Sequence, residues 1–355
     1  MLNILYVTGK LNFTDGVTSH LYYLLKELSK NPELNIYLIC TGGDSVRRFE
    51  DTGLEIIKNV NFDHDKRSII NFTASVKYLT GFLRERKINI VHSHNHYAAN
   101  ISYYASRFSN AGTVQTLHGL IPDTGFLSHF KAEKIITVNK HSLEYLINHK
   151  LFRKENIFFI NHGYDFSSEK TKSEYRRILC ASRLIQEKGA DVFIRAAEII
   201  KRSGKDKLEF IIAGNGEYEN ELKKLDSDLN AGVHFKGTIK NLPVFMSGTD
   251  IFVMPTRSKS EGFPMTLVEA AFSGNFLIIS DTVPCKNIFE DKKDGYVFKT
   301  DDHKDLARKI LWVIDNPEKS EIISENFSAK AKKIFDLKIS AVKHIKVYRE
   351  CLRRI

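Results

Sequence analysis

The chain has 355 residues, 42% of them hydrophobic and 27% charged, with a formal net charge of +10. That length suits two domains rather than one core, and 20 glycines and 7 prolines exclude a collagen-like or low-complexity chain. The positive balance points to anionic partners, but no zinc-finger or RNA-recognition signature accompanies it, so nucleic acid is not expected as a partner.

Short apolar runs alternate with amphipathic stretches along nearly the whole sequence. The first half carries runs at Ile4–Thr8, Ile36–Cys40, Ile90–Ser93, Thr113–Leu117, Ile135–Val138 and Ile157–Ile160. The second carries Ile178–Ala181, Glu209–Ala213, Val233–Lys236, Ile251–Met254, Phe276–Ser280 and Tyr296–Phe298. Continuous apolar runs of this length predict parallel strands buried on both faces. Between them the spacing is helical. Leu21, Leu24, Leu25 and Leu28 share one face, as do Phe193, Ala196, Ala197 and Ile200. Strand–helix–strand repetition, twice over, predicts an α/β chain of two Rossmann-like, doubly wound domains. The polar segment Tyr164–Tyr175 reads as a linker. We therefore expect domains at 1–165 and 176–335. Residues 336–355 form a C-terminal helix, with Ala341, Ile345, Tyr348 and Leu352 on one face, packing back across the interdomain region.

The cysteines Cys40, Cys180, Cys285 and Cys351 are far apart and form no CxxC pair, which fits reduced thiols and neither zinc nor disulfides. No secretory signal and no apolar run of about 18 residues is seen, so a cytoplasmic chain without a membrane span is expected. From Ser328 to Ile355 there are nine Lys/Arg and two acids. Three readings fit: a solvated helix face, a patch that docks on an anionic membrane surface, or a surface for phosphate-bearing partners.

Ligands of open α/β sheets bind outside the carboxyl ends of the strands. After the first run, Asp15-Gly16 opens a helix, where backbone N–H groups can approach an anion, or where glycine simply makes a turn. After the third comes His92-Ser93-His94-Asn95-His96. Alternation puts these histidines on one side, where they line a ligand site, satisfy hydrogen bonds or hold a metal; no metal is expected. His118-Gly119 follows the fourth run, as a reach into the crevice or a loop cap. In the second half, Arg183 and Lys188 leave a strand together just before a helix, a fork and a point charge suited to a pyrophosphate, or two ordinary surface cations. Gly214 begins a glycine turn after the next strand. The densest constellation is Glu261-Gly262-Phe263-Pro264-Met265-Thr266-Leu267-Val268-Glu269. Glu261 stands at a loop–helix junction and Glu269 eight residues on, roughly on the same face, with apolar flanks. Carboxylates so placed can hold sugar and ribose hydroxyls, while the backbone after Gly262 is open to a phosphate; the alternative, a helix cap plus an exposed Glu, explains Glu261 but not Glu269.

At these residues the sequence resembles the retaining, GT-B-fold glycosyltransferases of family 4, the group 1 glycosyltransferases. Glu261–x7–Glu269 in PTRSKSEGFPMTLVEAAFSG carries the resemblance. SRLIQEKG, AGNGE, the LHG histidine, Asn161-His162-Gly163-Tyr164-Asp165 and DKKDGYVF support it in the family's order. It departs where Asp15-Gly16 replaces paired glycines and where Pro284-Cys285 replaces another glycine pair.

The resemblance implies two domains facing across a cleft, with the acceptor held by the N-terminal one. It implies that Arg183 and Lys188 bind the donor pyrophosphate, that Glu261 and the backbone of Gly262, Phe263, Pro264, Met265 and Thr266 contact the transferred sugar, and that Glu269 holds the ribose. Gly16 would lie near the pyrophosphate and His118 near the reacting centre, with Gly214 on the nucleotide side and His94, His96 and Asn161 on the acceptor side. The expected donor is a UDP- or GDP-sugar and the acceptor a saccharide or lipid-linked saccharide, in surface polysaccharide or glycolipid synthesis. No cofactor or metal is expected, since no DxD element stands on a strand edge. The rival readings are a nucleotide-sugar epimerase or phosphorylase of the same architecture, and a degenerate nucleotide-sugar-binding subunit.

Overall fold

The computed structural model describes residues 1–13, 15–119, 131–148, 152–166, 170–171, 174, 176–258, 264–283 and 288–352. Their contacts divide the chain into two units: Met1–Gly163 with Asp336–Ile355, and Tyr164–Phe335. Among the described residues, no helix is long and apolar enough to cross a membrane.

The first unit is built on seven parallel strands: β1 (Leu2–Val7), β2 (Leu34–Cys40), β3 (Glu55–Lys58), β4 (Ile90–Ser93), β5 (Gly112–Leu117), β6 (Lys134–Thr137) and β7 (Ile157–Phe159). Their order is β3-β2-β1-β4-β5-β6-β7, so the winding reverses between β1 and β4. Its helices are α1 (Gly16–Leu28), α2 (Val46–Glu50), α3 (Ile69–Glu85), α4 (His96–Ser106) and α5 (Lys140–Asn148), joined by the chain's last helix (Leu337–Leu352). Both faces of the sheet are buried. Ile4 and Tyr6 of β1 join one core with Leu21, Leu24 and Tyr348. Leu5 and Val7 join the other with Leu79, Val91 and Ile101. Alternation along a strand produces this split, and burial of both faces explains the unbroken apolar runs.

The second unit has six parallel strands: β8 (Arg176–Ala181), β9 (Leu208–Ala213), β10 (His234–Phe235), β11 (Ile251–Met254), β12 (Phe276–Ser280) and β13 (Tyr296–Phe298). The order β10-β9-β8-β11-β12-β13 reverses between β8 and β11. Around it lie α6 (Ala190–Arg202), α7 (Glu219–Leu229), α8 (Leu242–Ser247), α9 (Met265–Phe272), α10 (His303–Asp315) and α11 (Pro317–Ile334); the helix Leu337–Leu352 of the first unit is then α12. Phe193, Ala196, Ala197 and Ile200 of α6 pack on Ile178, Cys180 and Phe210.

The strand β3 has no counterpart among the apolar runs. Glu55-Ile56-Ile57-Lys58 is an edge strand with charged, exposed ends and only two apolar residues. The run at Val233–Lys236 contracts to a two-residue edge strand.

Candidate active site

In the second unit the chain leaves β8 and β11 side by side, at the point where the strand order reverses. Backbone contact fixes the loops there. Ser182 N–H donates to the Ala213 carbonyl at 3.1 Å and Leu184 N–H to that of Asn215 at 2.8 Å. Gly214 has φ +126°, and a Cβ there would lie 1.9 Å from the Ser182 carbonyl oxygen. At Gly189, with φ +70°, a Cβ would lie 2.0 Å from the Pro255 carbonyl oxygen. Only glycine allows both the left-handed turn and the approach.

Arg257 ties the same loops together. Its guanidinium donates to both carboxylate oxygens of Asp191, at 2.8 and 2.7 Å, and to the Gln186 carbonyl at 2.8 Å. Its N–H donates to the Glu187 carbonyl at 2.7 Å. The Asp191 carboxylate raises the Arg257 pKa further above its ordinary value, so this fork stays charged. In the sequence Arg257 is one residue of a polar loop; only the fold shows its partners.

On this frame Arg183 is exposed and its side chain has no hydrogen-bond or ion-pair partner among the described residues. Lys188 is half-buried, at the end of the turn Gln186–Lys188 that leads into α6. The structure thus brings Arg183, Lys188 and Gly214 to one end of the sheet. Pro264 precedes α9 and supplies no side-chain cap, and Met265 and Thr266 form its first turn, whose backbone N–H groups have no partner within the helix. Glu269 lies within α9 at 7% exposure. Glu261, Gly262 and Phe263 lie outside the described residues, as do Pro284 and Cys285.

In the first unit, Asp15 caps α1 and its carboxylate accepts from the Val17 N–H at 3.2 Å. An anion approaching Gly16 meets that carboxylate. β4 ends at Ser93 and His96 opens α4, with Asn95 as the cap, so strand alternation does not carry His96 to the side of His92 and His94 as expected. A cluster of imidazoles forms instead from five elements. His94 Nδ1 is 2.9 Å from His118 Nε2. His20 on α1 bonds through Nδ1 to His162 Nδ1 at 2.9 Å, next to Asn161, whose carbonyl accepts from the Ser340 hydroxyl at 3.1 Å. His92 bonds to the Tyr348 hydroxyl at 2.7 Å and to the Thr116 hydroxyl at 2.8 Å. Tyr348 in turn meets the Tyr6 hydroxyl. The ring of His344 on α12 lies 6.2 Å from that of His20, tilted by 40°.

Burial, then the neighbouring imidazoles, pushes His20, His92, His94 and His162 well below their ordinary pKa. His118 falls to about 3, through burial and His344. His344 falls to about 4, through burial. All are neutral at pH 7. His20, His162 and His344 were not candidates. His20 sits on the otherwise apolar stripe of α1, one turn before Leu24, which was the only sign in the sequence.

The family model "Glycosyl transferases group 1" matches residues 164–330, and "Glycosyltransferase Family 4" matches residues 14–168. The chain is 22% identical to the N,N'-diacetylbacillosaminyl-diphospho-undecaprenol alpha-1,3-N-acetylgalactosaminyltransferase of Campylobacter jejuni, over 92% of this chain and 94% of that one. It is 24% identical to the UDP-Gal:alpha-D-GlcNAc-diphosphoundecaprenol alpha-1,3-galactosyltransferase of Escherichia coli, over 88% of each. Among solved structures, that of Anabaena HepE with UDP-glucose superposes with a TM-score of 0.84 at 18% identity, covering 100% of both chains.

Two outcomes follow from this geometry. Gly189→Ala is expected to cost about 2 kcal/mol more than Gly204→Ala in denaturant unfolding. Gly204 shares a positive φ of +74° but has nothing within 4 Å of a Cβ, so equal costs would contradict the backbone contact. The imidazoles set a pH dependence. Above the ordinary value of 6.5 His344 is neutral whether folded or unfolded; below it the unfolded chain binds a proton that the fold refuses until about 4. Stability therefore falls as pH drops from 6.5 to 4, by about 3 kcal/mol through His344 alone. His344→Gln should lessen the slope of the pH profile of thermal unfolding across that window by the share of one imidazole, and an unchanged slope would contradict the assignment.

Proposed function

The chain belongs to the group 1, family 4 glycosyltransferases of GT-B fold, and on that premise we propose that it moves a sugar from a UDP- or GDP-sugar to a lipid-linked saccharide, with retention and without a metal. The observation that carries this reading is the frame at the ends of β8, β9 and β11, which presents Arg183, without a side-chain partner among the described residues, together with Lys188 and the start of α9 at Pro264.

In this reaction the bond from the anomeric carbon to the diphosphate oxygen breaks while an acceptor hydroxyl oxygen bonds to that carbon. Negative charge develops on the departing diphosphate. Arg183, Lys188 and backbone N–H groups at Met265 and Thr266 stabilise it without reorganising, the role that a metal fills elsewhere. The departing phosphate oxygen takes the hydroxyl proton, so acceptor and leaving group occupy the same face of the sugar and configuration is kept. Glu269 is the carboxylate for the ribose hydroxyls, with Glu261 and the Gly262–Phe263 backbone against the transferred sugar. In the first unit Gly16 and His118 serve the diphosphate and the reacting centre, and His94, His96 and Asn161 the acceptor.

The HepE structure with UDP-glucose supports a nucleotide-diphosphate donor, and the undecaprenol-linked substrates in the names of the two relatives support a lipid-linked acceptor. The outer face of α12 supports work at a membrane surface. Lys338, Lys343, Lys346 and Arg349 are exposed there beside Ile339 and Val342, which are 53% and 66% exposed. Basic side chains next to exposed apolar ones suit an anionic lipid interface.

The test is transfer from labelled UDP- and GDP-sugars to undecaprenol-diphosphate-linked amino sugars in EDTA. Wild type should form an α-linked product from an α-linked donor. Arg183→Ala and Glu269→Ala should each lose about 100-fold or more while remaining folded. Full activity in either variant, or dependence on added Mg²⁺, would contradict the proposal.

A further inference from the structure

The roles proposed above for His94 and His118 leave two buried nitrogens of the first unit's imidazole cluster without an explanation. His20 is 1% and His94 4% exposed, and Nε2 of each is buried with no hydrogen-bond partner. A buried polar atom left unpaired is costly. The two rings and that of His118 form a triangle, with centroids 6.0, 5.3 and 5.2 Å apart. One nitrogen from each lies within 4.8 Å of the other two.

We propose that His20, His94 and His118 form a binding site for a zinc-class divalent transition metal. Three imidazole nitrogens with an open fourth position are a ligand set that Zn²⁺ accepts. Metal–nitrogen bonds of about 2.0–2.1 Å require nitrogens about 3.4 Å apart, so the rings close in by small side-chain rotations when the ion enters. The supporting contacts fit this use. His20 is held through Nδ1 by His162 at 2.9 Å, which turns its Nε2 away from that bond. The partner of a ligating ring is what fixes its orientation and tautomer. The ring of His92, anchored at both nitrogens, backs that of His94 at 4.4 Å between centroids. All three ligands are imidazoles, and among the described residues no carboxylate joins them. That donor set selects Zn²⁺, Co²⁺, Ni²⁺ or Cu²⁺ and rejects Mg²⁺ and Ca²⁺, which need oxygen. Its ligands all belong to the first unit, and none of them is one of the Arg183 and Lys188 cations proposed to hold the diphosphate.

The test uses the full chain without a histidine tag, stripped of metal. Zn²⁺ is titrated against a chromophoric chelator, with Mg²⁺ as control, and Co²⁺ binding is followed by its visible spectrum. The expected result is one tight Zn²⁺ per chain, no Mg²⁺ binding, and the intense ligand-field bands of four-coordinate Co²⁺. His20→Gln and His94→Gln should each weaken Zn²⁺ by about tenfold or more. His234→Gln, exposed in the other unit, should not. The wild-type Co²⁺ spectrum decides the matter should the variants fail to fold. The absence of a one-to-one site, a weak six-coordinate Co²⁺ spectrum, or equal affinity in folded His20→Gln and wild type would overturn the proposal. None of these readings involves sugar transfer, so they stand or fall apart from the function proposed above.

Discussion

The end of the second unit's sheet depends on backbone meeting backbone. Three loops leave β8, β9 and β11, and side chains between them would hold them apart. Glycines at 189, 214 and 216 remove that spacing and let main chain touch main chain at Pro255, Ser182 and Leu184. Hydrogen bonds between the β8 and β9 exits then extend the sheet's ladder into the loops, and Arg257 closes the third side on Asp191. The cations Arg183 and Lys188 are thereby carried on a stiff platform. Charge stabilisation gains its value from such preorganisation, because the donors need not be gathered when negative charge appears.

The first unit solves a different problem with the same topology. Its sheet also reverses direction between two strands, β1 and β4, but the residues gathered at those strand ends are imidazoles and phenols. Tyr6, His92 and Tyr348 link the two switch-point strands to α12 through hydroxyl and ring hydrogen bonds. The chain's last helix is therefore part of this unit's core, with Tyr348, Val347 and Cys351 buried. A polar network in a buried place rigidifies when its members are paired, and in this one Nε2 of His20, His94 and His344 has no partner among the described residues.

Much of the fold was legible because parallel sheets buried on both faces write themselves as unbroken apolar runs. Eleven of the runs coincide with strands of similar bounds, and α1, α6 and α12 follow their apolar stripes. The edge strand β3 escaped because one charged residue at each end of two isoleucines leaves no run to see. Arg183, Lys188 and Gly214 were legible as charges and turns at strand ends, and the structure brings them to one place. The side of His96 differs from expectation because a strand-to-helix boundary cannot be placed within HSHNH from alternation alone; β4 ends at Ser93 and Asn95 caps the helix that His96 opens. His20, His162 and His344 are far apart in sequence and meet only through the winding of the sheet. Arg257 likewise finds Asp191 through tertiary contact.

The central claim is that the second unit's strand-end loops hold a nucleoside diphosphate through protein cations alone. Thermal unfolding with UDP-, GDP-, ADP- and CMP-linked sugars, each in Mg²⁺ and in EDTA, tests it most directly. A ligand that binds only the folded state raises stability by about 2.7 kcal/mol at a hundred times its Kd. The account predicts stabilisation by one diphosphate class, equal in Mg²⁺ and EDTA and lost in Arg183→Ala. No shift with any donor at millimolar concentration, or a shift that requires Mg²⁺, would contradict it.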